Sequence, residues 1–168
     1  MKTENLSHKE ALEKMKEMVD NIKVAILLSD LKTVPIGANP MNTKKIEENG
    51  NIWFLSSLNS NHYTNILADI RVQLLYSHPE KMQFISIYGK AYIYTDKSIL
   101  EELYSKKDDE WFDGINDVEM IAIKIVPASI YYWDREHNKF IELLKNLVEN
   151  KSLKEDNSGD KTKGKIDL

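Results

Sequence analysis

The densest run of groups able to do chemistry is IWFLSSLNSNHYTNI, from Ile52 to Ile66. Aromatic and branched residues at its start favour a strand that ends in Ser56 and Ser57. The chain then turns through Leu58 and Asn59, and Ser60 is placed to cap a short helix over NHYTNILAD. Three hydroxyls, free backbone N–H groups and the positive end of a helix dipole therefore converge on one spot, which suits a phosphate. The same residues also read as ordinary helix capping by Ser60 with turn serines around it.

Other candidate chemistry is sparse. The six glycines are scattered, and neither a GxGxxG nor a GxxxxGK[ST] pattern occurs, which argues against dinucleotide and P-loop sites. His8, His62, His78 and His137 are far apart and fit no metal-ligand spacing, so by residue type alone they read as surface histidines. The SKKDDEW stretch supplies Asp108, Asp109 and Glu110 as an acid–base pair to consider, and its context reads as a solvated link. No nucleophile-elbow motif marks a serine–histidine–acid arrangement. Zero cysteines exclude disulfides, thiolate metal sites and a thiol nucleophile, and permit a reducing, cytoplasmic setting.

The elements that must position these groups fit one domain of 168 residues, with 42% hydrophobic and 30% charged residues. The 23 Lys and Arg against 27 Asp and Glu leave a net charge of −4, so there is no bulk attraction for nucleic acid. No apolar run is long enough for a membrane span, and the N-terminus lacks a signal-peptide core. A first helix starts at a Ser7/Glu10 capping box and carries Ala11, Met15, Met18 and Ile22 on one stripe. KVAILLSD reads as a buried strand, and VPIGANPMN as an edge or bulged strand because of Pro35 and Pro40. After a Lys- and Glu-rich link, Asn49-Gly50-Asn51 turns into IWFLSS. In the helix after Ser60, Tyr63, Ile66, Leu67 and Ile70 share a face.

RVQLLYSH, QFISIYGKAYIYT and EMIAIKIVPASIYYW complete the strands, with Gly89 marking a bulge or close approach and Pro127 a kink or edge. Asp96 begins a helix with Ile99, Leu100 and Leu103 inward, and a last amphipathic helix is expected over Lys139 to Glu149. Residues 1–150 thus form the domain, and 151–168 are expected to be a disordered tail. The count predicts a mainly β, six-stranded antiparallel closed barrel with peripheral helices.

In order, ANPMN, GNIWFLSSLNSNHYTNI, RVQLLYSHPEKMQFISIYGKAYIYTDKSILEELY and EWFDGINDVEMIAIKIVPASIYYWD resemble the general stress protein branch of the pyridoxamine 5′-phosphate oxidase-like flavoproteins. The resemblance spans about residues 8 to 135. It implies a split β-barrel homodimer with flavin mononucleotide (FMN) at the subunit interface, and electron exchange with a small-molecule donor or acceptor. By position, Ser56 and Ser60, with Ser57 beside them, match the phosphate-binding strand–turn–helix of that family. Asn39, Pro40 and Met41 match a segment that runs beside the flavin. Asn39 and His62 stand where the family usually has arginine and lysine, so an amide and an imidazole replace two cations. Trp111 and Trp133 lie in segments that can wall the flavin, or they fill the core with Trp53, Phe54 and Phe112. The C-terminal substrate-binding arginine and histidine pattern of true pyridoxamine-phosphate oxidation is not evident after Trp133. Alternatives are a flavin-binding stress protein without turnover, a barrel scaffold that has lost flavin, and a haem or deazaflavin binder.

Overall fold

In the computed structural model, which describes residues 8–134 and 162–167, six antiparallel strands close into a barrel. They are β1 (Val24–Ser29), β2 (Gly37–Ile46), β3 (Ile52–Ser57), β4 (Arg71–His78), β5 (Gln83–Tyr94) and β6 (Met120–Asp134). Going round the barrel the order is β3-β2-β1-β4-β5-β6, and β3 pairs with the first half of β6 to close the ring. Three helices attach to it: α1 (His8–Ile22), α2 (Asn61–Ala68) and α3 (Lys97–Leu103). The predicted architecture is thus the observed one. Among the described residues no helix is long and apolar enough to cross a membrane.

Two cores result from the strand periodicity. Inside the barrel, Leu27, Phe54, Leu74, Tyr76, Ile85, Ile87, Ile121 and Ile123 are buried, together with Ala11, Met15, Met18 and Val19 of α1. Outside it, α3 places Leu100 and Leu103 against Trp53, Met120 and Ala122. The first half of β6 is consequently buried on both faces, whereas β5 alternates as a strand with one wet face does. Gly50, at φ +88, turns β2 into β3 beneath Leu12 and Met15 of α1.

The two sequence breaks sit where strand pairing changes. β2 pairs with β3 only from Thr43 to Ile46, with a register shift between Thr43 and Lys45, so Pro40 removes no hydrogen bond on that side. The barrel is split there, and α2 packs on β1 and β2. Gly89 lies at the β5 register shift opposite Pro127, where a Cβ would come within 2.4 Å of the Val126 carbonyl oxygen. The expected bulge is therefore present, and only a glycine fits it.

Several local expectations are corrected. The Lys- and Glu-rich link is partly strand, since β2 runs on through Lys44 and Lys45 to Ile46. Asp108 is buried rather than solvated, because Lys44 Nζ lies 2.7 Å from its carboxylate and Ser105 donates to it as well. On α2 the buried residues are His62 and Ile66, whereas Leu67 is 62% exposed, so the buried stripe is rotated by about one residue from the expected one. Thr162–Asp167, placed by sequence in a disordered tail, form a strand β7 antiparallel to Ser129–Asp134 of β6. The physical reason is an open edge: β3 covers β6 only from Met120 to Ile125, and backbone pairing needs no apolar side chains. The helix expected over Lys139 to Glu149 lies outside the described residues.

Candidate functional site

The strand–turn–helix from Ser56 to His62 is built as a chain of short polar contacts. Ser60 is the N-cap of α2: its Oγ accepts from Tyr63 N at 3.2 Å and donates to Ser57 O at 2.7 Å. Ser57 Oγ accepts from Asn59 N at 3.1 Å, which fixes the turn. Ser56 Oγ lies 3.4 Å from Ser60 Oγ and 2.5 Å from His62 Nε2. With the Ser60 proton committed to Ser57 O, one tautomer completes the chain without placing a hydrogen on the partnerless His62 Nδ1. In it, His62 Nε2–H donates to Ser56 Oγ, and Ser56 O–H donates to Ser60 Oγ.

His62 is therefore part of the frame, not a surface residue. It is 7% exposed, and its Nδ1 is buried without a hydrogen-bond partner among the described residues. Burial pushes the imidazole pKa down from 6.5, so the ring is neutral at pH 7. A second polar contact anchors the other end of the helix: Asn65 Nδ2 donates to Ser29 Oγ at 3.0 Å, tying α2 to the end of β1. Sequence reasoning passed over Asn65. Its signal was an amide on the inner side of a short helix, five residues after the capping Ser60.

The nine candidate residues fall into four places. Ser56, Ser57, Ser60 and His62 are together at the corner just described. Asn39, Pro40 and Met41 lie on the half of β2 that has left β3, beside the split. They alternate across the strand: Met41 is in the barrel core, while Pro40 is on the outer face opposite Ile26. Trp111 is 75% exposed after the 3-10 turn Lys106–Glu110, and its neighbour Phe112 packs on the small outer core instead. Trp133 pairs with Phe84 near the end of β6, whereas Ser56 pairs with Ile121 near its start. At about 3.3 Å per residue, up to about 40 Å of strand separates these two positions within one chain.

Ion pairs surround the corner without entering it. Arg71 holds Asp69 in a two-point contact, with Nε 2.9 Å from Oδ1, and those bonds keep the Asp69 carboxyl well below its usual range. Lys44 binds Asp108, and Lys45 binds Glu102. Lys124 stands over the rings of Trp53 and Tyr94 at 5.2 and 5.0 Å. Among the described residues no group of three or more His, Cys, Asp or Glu can hold a metal ion.

Comparison with known proteins agrees with this fold. Residues 10–155 match the family model described as pyridoxamine 5′-phosphate oxidase like. General stress protein 26 from Bacillus anthracis superposes with a TM-score of 0.65 at 20% identity, covering 73% of this chain and 93% of that one. A general stress FMN/FAD binding protein from Xanthomonas citri gives a TM-score of 0.62 at 19% identity, covering 88% and 99%. A protein from Clostridium acetobutylicum related to general stress protein 26 gives 0.66 at 15% identity, covering 75% and 89%. At these identities the structures speak for the fold. No curated protein matches the chain.

Proposed function

The chain belongs to the pyridoxamine 5′-phosphate oxidase-like family, and on that premise we propose that it is a flavin-binding homodimer with oxidoreductase activity. It would exchange electrons with a small-molecule donor or acceptor in a reducing, cytoplasmic compartment. The observation that carries the reading is the corner itself. Ser56 and Ser57 lie on the stretch of β3 that has parted from β2, and the first turn of α2 follows them, so polar groups stand beside the place where the barrel is split. A similar fold in the Xanthomonas citri FMN/FAD binding protein supports a flavin as the occupant.

A second copy is needed for a complete site. Ile26 and Leu75 are direct cross-strand partners with both side chains exposed, and Val24 and Tyr88 extend the same outer face of β1, β4 and β5. Trp133 lies on that face too, since Phe84, Ser86 and Tyr88 alternate along β5 and Phe84 is its partner. An apolar patch on paired strands favours burial against another protomer. In a two-fold dimer Trp133 of one subunit can then approach the serine corner of the other, which one chain does not allow.

A flavin, when bound, supplies the redox chemistry. The protein's own part is to hold the ring at the split against Asn39 to Met41, to exclude water with the dimer seam, and to orient the polyol chain at Ser56 and Ser60. The fit is uneven for FMN, the flavin implied by the family resemblance. Neutral donors suit the polyol, whereas the phosphate dianion meets no uncommitted cation at this corner among the described residues. The visible spectrum of the freshly purified chain, after addition of flavin and desalting, tests the reading. Retained flavin bands with one dimer by light scattering support it; a colourless monomer of 19.5 kDa contradicts it.

A further inference from the structure

From Ile52 to Ala68, the whole of β3, the turn and α2, there is no Asp, Glu, Lys or Arg. In a chain with 30% charged residues this is the segment to which the family resemblance assigns the phosphate. Its only basic side chain is His62, buried and engaged with Ser56. Cations on the flanking elements are turned to other work: Lys44 to Asp108, Lys45 to Glu102, Arg71 and Lys32 to Asp69, and Lys124 to the rings of Trp53 and Tyr94.

The Ser56 and Ser60 hydroxyl hydrogens are committed too. Ser60 donates to Ser57 O, Ser57 Oγ is used by Asn59 N, and Ser56 is shared between Ser60 and His62. A dianion entering this corner would face the dipole of one short helix and no counter-charge, and would have to dissolve bonds already made. An uncharged hydroxyl can instead join the chain as donor and acceptor without needing compensation for burial of charge.

We propose that the Ser56–His62 corner is a neutral polyol site, which accepts the uncharged hydroxylated end of a flavin and gives no preference to a phosphate. Riboflavin, not only FMN, is then a ligand of this chain. The inference rests on the flavin reading above and makes it specific: the ring and polyol are recognised, and the charge is not.

Titration calorimetry of the full chain with riboflavin and with FMN tests it. The expected dissociation constants agree within about threefold, because no charge-assisted contact distinguishes the ligands. Asn61→Lys adds an exposed cation in the first turn of α2 without entering the core. It is expected to tighten FMN by about five- to thirty-fold, the range of one charge-assisted contact, and to leave riboflavin unchanged. His62→Lys is the buried counterpart, and Asn61→Lys keeps the test valid if that variant does not fold. Wild-type FMN binding more than about tenfold tighter than riboflavin overturns the neutral corner while leaving the flavin reading intact. An Asn61→Lys variant in which FMN and riboflavin shift equally also overturns it, because the phosphate end is then elsewhere. If neither flavin binds the wild type, both readings fall together.

Discussion

Two polar clusters sit near opposite ends of β6 and are built on opposite principles. At its end, Asp134 is bonded to Lys14 of α1 at 2.5 Å and receives Gln83 Nε2 at 3.3 Å, with both charged side chains almost wholly buried. Near its start, the Ser56–His62 corner is closed by hydroxyls and a neutral imidazole. The first cluster joins elements far apart in sequence and balances its charges internally, so it behaves as a fastener between helix and barrel. The second lies within one strand–turn–helix, beside the stretch where β3 has left β2. Charge is thus used where helix is fastened to barrel, and neutral hydrogen bonding closes the corner proposed as the ligand site.

That contrast is most exposed at the fastener. Asp134→Ala removes the buried partner of Lys14, leaving it only the half-exposed Glu17 at 3.2 Å, and is expected to lower stability by about 3 to 5 kcal/mol in urea unfolding. Replacing both residues together, Lys14→Met with Asp134→Leu, should recover most of that loss. An Asp134→Ala variant as stable as the wild type would break the comparison. At the neutral corner Ser56→Ala removes the acceptor for the buried His62 Nε2–H, with an expected cost of about 1 to 3 kcal/mol. Ser60→Ala loses the α2 cap, with a smaller expected cost of about 1 kcal/mol.

The smallest effect is a pH slope. Burial lowers the His62 pKa, so below about 6.5 the unfolded chain binds a proton that the folded chain refuses. This contribution to stability is complete above the unfolded pKa and is lost as pH falls from there through the folded value. His62→Gln should flatten that part of the stability profile. An unchanged slope would show that the imidazole is not held neutral.

Much of this was legible from residue pattern, because each element's periodicity and its breakers agree. Pro40 and Pro127 marked strand stretches without a neighbour on one side, Gly89 marked the bulge, and Ser60 marked the helix start. What stayed hidden depends on contacts between distant segments. The burial of Asp108 requires Lys44, which is brought beside it by β2, and the Lys14–Asp134 bond joins the first helix to the last barrel strand. The strand at Thr162–Asp167 was invisible for a related reason: its composition is polar, and its partner is an edge that exists only once the barrel closes. His62 was misjudged as a surface residue because the phase of α2 is set by packing on β1 and β2. Leu67, the more apolar side chain, is left outside.

The central claim is that the split beside the neutral corner holds a flavin. Fluorescence titration of riboflavin with the purified full chain tests it most directly, since a ring enclosed by protein and stacked near Trp133 is quenched. The account predicts saturable quenching that ends at one flavin per protomer and is weakened by Ser56→Ala. Riboflavin fluorescence that stays undiminished through a large excess of folded protein would contradict it.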